Sequence, residues 1–382
     1  MKISIIIPCC NNSQYLPGCL ESALRNINES SGEIICVDDC STDDTLEVLE
    51  SFAKRYASIK IVRHSVNGGS NEARRTGVLA ATGDYVLFVD PDDKLMDGVV
   101  DVIQRKLAEK LVDVLCFDFK FADGFDLSKC GYEDSKIRYY KQIQKGHLRA
   151  TSKTSAINAI YSTSPKLGVM VWGKAWRREL LVKGFSLIPK GWCVEQEDDC
   201  QCLMFLVLAE SVSMIDYIGY EYRFDTGVTN DDLTERSMIR YLRNAVFVTR
   251  FKACFKKQFG NNSPYISSLR FIEDNVLDKY RKIAKRLLNQ ANDRDELLAW
   301  GCINDESSLM WAMYAYAREK RFKVMAAEIR SIPILGFLVK IKRIYLKIRL
   351  ILTKNILFRE ILEEKRLELK RIRAFIKESS IY

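Results

Sequence analysis

The alternation of strand-like and helix-like segments is the feature that most constrains this fold. Within the first 95 residues four apolar runs recur, which read KISIII, EIICVDD, IKIV and DYVLFVD. Segments with a helical pattern separate them, and the connections are short. Repeated β-α-β units form a largely parallel sheet with right-handed crossovers and helices on both faces. We therefore predict an α/β fold for the N-terminal part of the chain.

Polar residues follow each of the four predicted strands. The segments at these strand ends are 8–12, 38–39, 67–70 and 90–93. In an open parallel sheet, ligands bind beyond the carboxyl ends of the strands. Because four separate strand ends meet at one rim, we predict a single ligand site there.

The last of these strand ends carries three carboxylates, Asp90, Asp92 and Asp93. Carboxylates this close raise one another's pKa unless a cation or hydrogen bonds offset the repulsion. Carboxylates, phosphate oxygens and water are the ligands that Mg²⁺ and Mn²⁺ prefer. The alternative is that Asp92 or Asp93 caps a helix that begins near Met96. The position on the shared rim favours a metal site.

The other strand ends favour one kind of nucleotide site over two others. The sequence has no G-x-G-x-x-G after the first strand and no G-x-x-x-x-G-K-[ST], which argues against dinucleotide and P-loop sites. Asn11, Asp38 and Asp39 stand there instead. An Asp in this place can accept a hydrogen bond from a pyrimidine imide or from ribose hydroxyls. Asp38 and Asp39 can equally be turn residues before a helix capped by Ser41.

Composition narrows the class of protein. The apolar share of 47% and charged share of 29% are typical of a soluble globular protein, and we expect no nucleic-acid partner. Twelve cysteines without a CxxC pair indicate reduced, buried thiols in a cytoplasmic protein. The sequence contains no run of about 18 uncharged apolar residues, so we predict no membrane-spanning helix. His64 and His147 stand in no metal-binding pattern, and we interpret both as structural.

Three segments together resemble the N-terminal half of family 2 glycosyltransferases. They read ISIIIPCCNN, IICVDDCSTDDT and NGGSNEARRTGVLAATGDYVLFVDPDD, in the family's order and over about the first 95 residues. The resemblance implies a GT-A fold and an inverting, metal-dependent transferase of the hexosyltransferase type. The implied donor is a nucleotide-sugar, usually a UDP-sugar, whose diphosphate is bridged by Mn²⁺ or Mg²⁺. We expect the acceptor to be a glycan or a lipid-linked glycan in cell-surface polysaccharide synthesis.

The resemblance also implies roles for individual residues. The positions that match the nucleotide-sugar pocket are Pro8, Asn11, Asp38, Asp39, Gly69, Ala73, Arg74 and Asp90. The positions that match the metal site are Asp92, Asp90 and Asp93. Asp39 corresponds to the residue that reads the uracil ring, and Asp92 to the direct metal ligand. Cys10 replaces a common Tyr and Arg75 a common Asn, which leaves the identity of the donor open.

An inverting transferase needs a carboxylate that deprotonates the acceptor hydroxyl. Many family members carry Glu-Asp at the start of a helix about 100 residues after the acidic turn, and Glu197-Asp198 fits that pattern. We predict Asp198 as the base, with Glu197 beside it. Glu195 and Asp199 are competing assignments, because the acidic run leaves the register open. The helix dipole alone also favours acidic residues at a helix start.

The segment VMVWGKAWRREL resembles the family's W-x-K-x-(x)-R segment. Trp172 and Lys174 could form the floor of the acceptor site, since an aromatic face suits stacking on a sugar ring. The alternative is that Trp172 and Trp176, one helical turn apart, are core residues.

The second half of the chain is predominantly helical in its pattern. We predict a catalytic domain over 1–230, with a nucleotide-binding half at 1–95 and an acceptor half at 96–230, a helical module at 231–329 and basic amphipathic helices at 330–382. The last segment has an apolar stripe of Phe337, Ile341, Ile344, Ile348 and Leu352. Its flanking cations are Lys340, Arg343, Lys347 and Lys354. Such helices can bind the anionic inner face of a bacterial plasma membrane, or pack on a protein partner.

Two other functions compete with this hypothesis. A nucleotidyltransferase of similar fold would carry a Gly-rich, basic loop after the first strand, and PCCNNSQYLPG has no basic residue. A catalytically silent, membrane-associated glycan-binding protein would not need both the acidic turn and a candidate base.

Overall fold

The computed structural model describes residues 1–122 except 29, residues 139 and 143, residues 152–162 and 167–223, and residues 235–275 except 273. Met1–Asp231 and Arg243–Val276 belong to one compact unit. Most of the predicted helical module and all of the predicted basic amphipathic helices lie outside the described residues, so both stay predictions.

Within the described residues, eight strands form one mixed sheet. The strands are β1 (Ile3–Cys9), β2 (Gly32–Asp38), β3 (Ile59–Arg63), β4 (Tyr85–Phe88), β5 (Lys94–Leu95), β6 (Val114–Phe121), β7 (Lys174–Arg177) and β8 (Val212–Tyr222). Their order across the sheet is β3-β2-β1-β4-β7-β6-β8-β5. Strands β3, β2, β1 and β4 pair in parallel, as do β6 and β8, whereas β7 runs antiparallel to β4 and β6. The predicted α/β architecture is confirmed.

The helices among the described residues follow the predicted pattern in the first half of the chain. They are α1 (Leu16–Asn26), α2 (Thr45–Ala53), α3 (Gly69–Ala80), α4 (Val99–Glu109), α5 (Lys153–Ile160), α6 (Arg178–Leu187), α7 (Glu197–Leu208) and α8 (Glu235–Phe259). The prediction that Ser41 caps α2 is wrong, since α2 begins at Thr45. Ser41 Oγ instead accepts a hydrogen bond from the Asn11 N–H at 3.1 Å.

Burial explains why the first strands are continuous apolar runs. Every residue of β1 is buried, as expected for a strand covered by helices on both faces. The core extends through the sheet to Trp172 and Tyr220. Among the described helices, none combines the length and apolar character needed to cross a bilayer.

The segment around Trp176 differs from its predicted form. The residues Lys174–Arg177 form β7, which pairs with β4 and β6, and the helix begins only at Arg178. Trp172 and Trp176 therefore do not share a helical face. Short apolar runs rich in aromatic residues fit a strand as well as a helix, and the pairing partners decide between them.

Candidate active site

The ends of β1 and β2 lie side by side and are tied together by Asn11. Cys9 is paired with Asp38 in the sheet, and both Asn11 (φ 57°) and Cys40 (φ 59°) take the left-handed conformation just beyond the strands. Asn11 Oδ1 accepts a hydrogen bond from the Thr42 N–H at 2.7 Å. Pro8 is buried inside β1, so it shapes the strand end from within. Two of the predicted pocket residues, Pro8 and Asn11, thus shape the ends of β1 and β2.

Asp39 lies at the predicted rim, but the protein engages both of its carboxylate oxygens. Oδ1 is 2.7 Å from His64 Nδ1 and accepts the Gly68 N–H at 2.8 Å, while Oδ2 accepts the Gly69 N–H at 2.7 Å. Only 3% of the residue is exposed. Asp38 is also buried, and its Oδ1 accepts the Ser41 N–H at 3.2 Å. Both carboxylates therefore fix the loops at the rim.

Gly69 allows the loop before α7 to approach the start of α3. Its φ is 75°, which favours glycine, and a Cβ atom there would lie 2.8 Å from the Cys193 carbonyl oxygen. Any side chain would push this loop away. The close approach brings α3 and the start of α7 together.

Arg74, on α3, joins the acidic turn to the start of α7. Its Nη2 is 3.3 Å from Asp90 Oδ1, its Nη1 is 3.4 Å from Glu197 Oε1, and Nη1 also donates to Asp198 Oδ1. Arg74 and Glu197 are buried, whereas the Asp90 and Asp198 side chains keep 27% and 22% of their surface exposed. One buried cation thus contacts three carboxylates of the described chain. We call these four residues the Arg74 cluster.

The carboxylates of the Arg74 cluster are incompletely compensated. Burial, and then the nearby charge of Asp198, raise the pKa of Glu197 to about 7 against the opposing effect of Arg74. Burial likewise raises the pKa of Asp90 to about 6 despite Arg74. The same carboxylates, Asp198 first, hold the pKa of Arg74 above its ordinary value against the opposing effect of burial. Such perturbed groups concentrate at functional sites.

The contacts favour Asp198 over its competitors as the candidate base. Arg74 contacts Asp198 and Glu197 but, in the described structure, neither Glu195 nor Asp199. Glu197 is buried, and its Oε1 accepts a hydrogen bond from Ser70 Oγ. Asp198 is the more exposed of the pair and lies beside the rim.

Asp93 has a structural place in the acidic turn. It is 1% exposed, its Oδ2 accepts the Tyr220 hydroxyl at 2.7 Å and its Oδ1 accepts the Arg223 N–H at 2.7 Å. Burial, and then the charges of Asp92 and Asp90, raise its pKa well above the ordinary value. The helix-cap alternative for this turn is wrong, since α4 begins after Gly98.

The carboxylates of the acidic turn suit a cation whose coordination is completed by a bound ligand. Among the residues that the structure describes, no three His, Cys, Asp or Glu side chains are arranged to hold a metal ion. Magnesium is commonly bound by one or two carboxylates together with substrate phosphates. Asp90 and Asp92 are both partly exposed at the end of β4. These two residues therefore fit a divalent cation that also contacts a diphosphate.

Trp172 and Lys174 are core residues in this structure. Each is 3% exposed. The Trp172 ring stacks on Tyr220 with centroids 4.4 Å apart, and Lys174 Nζ donates to the Met170 carbonyl at 2.6 Å. This burial contradicts the expectation that they form the floor of an acceptor site.

Several residues of the site escaped the sequence analysis. Gln201, fully buried on α7, lies 3.4 Å from Arg74 Nη1 and donates to Asn71 at 3.0 Å. The indole N–H of Trp192 donates to Asn67 Oδ1 at 2.6 Å. Arg75 donates to the Ile188 carbonyl at 3.1 Å, which explains a second arginine on α3. Only the neighbourhood of α3 and α7, which the sequence does not show, reveals these contacts.

The comparison with protein families covers the first part of this site. Residues 4–160 match the family model for glycosyl transferase family 2, a range that includes the rim, Arg74 and the acidic turn. Residues 4–160 of this chain are thus similar to glycosyltransferase family 2. The family match confirms the resemblance and disfavours a nucleotidyltransferase.

Curated proteins similar to this chain align over different extents. EpsJ of Bacillus subtilis, an uncharacterized glycosyltransferase, is 29% identical over 224 residues, which cover 58% of this chain and 60% of EpsJ. A poly(ribitol-phosphate) beta-glucosyltransferase of Bacillus spizizenii is 41% identical over 95 residues, which cover 24% of this chain and 15% of that enzyme. The chain thus spans less than two thirds of the length of these relatives.

Similarity to solved structures establishes the fold of this chain. Staphylococcus aureus TarS 1–349 in complex with UDP-GlcNAc matches with a TM-score of 0.54 and 18% identity, over 84% of this chain and 81% of that one. A second crystal structure of TarS 1–349 matches with a TM-score of 0.52 and 21% identity, over 83% of each chain. The predicted GT-A fold is confirmed.

Proposed function

We propose that this chain is an inverting glycosyltransferase that moves a sugar from a UDP-sugar to a hydroxyl of a glycan or lipid-linked acceptor. The observation that supports this most is the Arg74 cluster. It joins the end of β4 to the start of α7, and its members Arg74 and Asp198 are 124 positions apart in sequence. Ligands of open α/β sheets bind at this carboxyl edge.

The donor nucleotide is proposed to bind where β1 and β2 end. Asn11 and Asp39 fix two loops around that edge, and the buried Asp39 carboxylate holds the start of α3. The structure of TarS with UDP-GlcNAc, a protein of similar fold, supports a UDP-sugar as the donor class. A uracil ring would then lie against these strand ends, with the diphosphate directed towards Asp90.

Asp198 is proposed as the general base. It takes the proton of the acceptor hydroxyl, whose oxygen forms a bond to the anomeric carbon as the bond from that carbon to the UDP oxygen breaks. Attack opposite the leaving group inverts the configuration. The partly exposed Asp198 carboxylate is accessible to an acceptor, and its contact with Arg74 fixes its orientation. Glu197 stabilises this arrangement through its contacts with Ser70 and Arg74.

Asp90 and Asp92 are the proposed ligands of a divalent cation, Mn²⁺ or Mg²⁺. When bound, the cation would neutralise negative charge on the leaving diphosphate. Asp93 would keep the turn in shape through its hydrogen bonds to Tyr220 and Arg223, which anchor the turn to β8 and the residue after it. Asp93 thus acts as a support for the other two carboxylates.

A donor-turnover assay tests this function. The assay measures UDP release from a panel of UDP-sugars with Mn²⁺, with Mg²⁺ and with a chelator. We expect release by the wild-type chain with metal, and its loss in Asp92→Ala. The matched control is Asp97→Ala, since Asp97 is exposed and pairs with Arg25 at the surface. Full activity of Asp92→Ala, or equal loss in both variants, would contradict the metal assignment.

A further inference from the structure

Residues 191–196, which we call the base loop, lead directly into Glu197 and Asp198. On one side the loop is held by the start of α3. Asn71 Nδ2 donates to the Gly191 carbonyl at 3.2 Å, and Ser70 Oγ lies 3.1 Å from the Cys193 carbonyl oxygen. The position of Asp198 therefore depends on how this loop is fixed.

On its other side the base loop contacts α8. The Val194 N–H donates to Asn244 Oδ1 at 3.2 Å. The guanidinium of the neighbouring residue, Arg243, lies 5.4 Å from the centre of the Trp192 ring. Two adjacent residues of α8 thus contact two alternate residues of the loop. Both helix residues lie beyond the range 4–160 that matches the family model.

Asn244 is an unusual residue for its position. It is fully buried, on the same helical face as the buried residues Phe247, Val248, Phe251 and Phe255. A buried amide is unfavourable unless it is hydrogen-bonded. Its Oδ1 accepts the hydrogen bond from the Val194 N–H. Its Nδ2 has no hydrogen-bond partner among the described residues. Packing alone would favour an apolar side chain here, so the bond to the loop is the feature that distinguishes Asn244.

We infer that Asn244, assisted by Arg243, is a positioning residue that holds the base loop so that Asp198 lies at the rim. The inference rests on the proposed function. It makes α8 a support of the loop that leads to the proposed base. The donor nucleotide is proposed to bind where β1 and β2 end, whereas the hydrogen bond of Asn244 goes to the loop that leads to Asp198. Loss of the Asn244 contact should therefore affect the chemical step and leave donor binding in place.

The test compares three variants of the full chain. Asn244→Leu has a similar volume and removes the acceptor, Asn244→Asp keeps an acceptor oxygen, and Gln258→Leu changes an exposed residue of the same helix as a control. A shift of about 1 Å at a catalytic group can lower a rate about 100-fold. We expect kcat of UDP-sugar turnover to fall roughly 10- to 100-fold in Asn244→Leu, to recover in part in Asn244→Asp and to stay unchanged in the control. The Kd for UDP should change less than about twofold.

An unchanged kcat in Asn244→Leu would overturn the inference, and so would equal losses of kcat and UDP affinity. If Asn244→Leu does not fold, Arg243→Gln takes its place, since Arg243 is exposed and contacts the loop through Trp192. Its kcat should fall while UDP affinity stays the same, and an unchanged kcat would again overturn the inference.

Amide hydrogen exchange separates this inference from the proposed function. Exchange in peptides that cover 191–200 should rise in Asn244→Leu and not in Gln258→Leu. If the wild-type chain turns over no UDP-sugar, the proposed function fails, and the exchange result still shows whether α8 holds the loop. Unchanged exchange in Asn244→Leu would overturn the inference alone.

Discussion

Two buried glutamates at opposite edges of the same sheet have opposite environments. Glu33, at the amino edge, accepts hydrogen bonds from Ser4 Oγ at 2.8 Å, from the Thr82 N–H at 2.6 Å and from Lys60 Nζ at 2.6 Å. Burial alone would raise its pKa, but these donors outweigh burial and lower the pKa to about 2. Glu197, at the carboxyl edge, has a pKa raised to about 7, and its Oε2 has no hydrogen-bond partner among the described residues.

The two edges differ in how completely their carboxylates are hydrogen-bonded. A carboxylate with a purely structural role has its oxygens satisfied by donors, because an unsatisfied buried oxygen lowers stability. The Arg74 cluster instead holds three carboxylates around one cation, with two of them partly exposed. This incomplete compensation is what a site needs in order to bind a cation or take up a proton.

The largest loss of activity is expected when Asp198 is replaced. Asp198→Asn keeps the shape of the side chain but removes the base, and general base catalysis contributes about 10²- to 10⁴-fold to a rate. We expect UDP release with an acceptor to fall within that range, while UDP still binds. Steady-state kinetics together with UDP titration check this. Full activity would move the role to Glu197, Glu195 or Asp199.

The strand ends of this site could be predicted from the sequence, whereas the contacts that hold its side chains in place could not. The strand ends and Asp90 could be placed because buried parallel strands leave a clear apolar pattern and their carboxyl ends share one edge. Trp172 and Lys174 could not, because their segment fits a helix or a strand, and only pairing of β7 with β4 and β6 buries them. The support of Asp93 by Tyr220 depends on a contact 127 positions apart, which no local pattern encodes.

A smaller effect is expected on the free energy of unfolding when Glu33, at the amino edge, is replaced. Glu33→Gln places an amide beside Lys60 and weakens charge-assisted hydrogen bonds, which are worth about 1.5–3 kcal/mol each. We expect the free energy of unfolding to fall by about 1–3 kcal/mol at neutral pH, with kcat unchanged. Chemical denaturation measures this, with the exposed Glu50→Gln as the matched control. A loss of turnover without a loss of stability would show that the two edges are not divided in this way.

The smallest effect is a pH dependence of stability that differs in sign between the two glutamates. A carboxyl group whose pKa is raised by folding, from 4.5 to about 7 for Glu197, contributes stability below its ordinary pKa that is lost as the pH rises through the folded value. Glu33 contributes stability above 4.5 that is lost as the pH falls towards about 2.

We therefore expect Glu197→Gln to flatten the decline in unfolding free energy between pH 4.5 and about 7. Glu33→Gln should flatten the loss on the acid side. Denaturation of both variants at the two ends of each range checks this. A decline through the upper range that persists in Glu197→Gln would assign that decline to another group.

The central claim, that the carboxyl edge binds the nucleotide and the amino edge does not, is tested most directly by calorimetric titration of UDP with Mn²⁺. The proteins to compare are the wild type, Glu33→Gln and Arg74→Gln, because the last leaves three carboxylates uncompensated beside the proposed diphosphate site. We expect equal Kd values for the wild type and Glu33→Gln, and binding at least about tenfold weaker in Arg74→Gln, a difference of about 1.4 kcal/mol. Equal binding by all three proteins, or no binding by the wild type, would contradict the central claim.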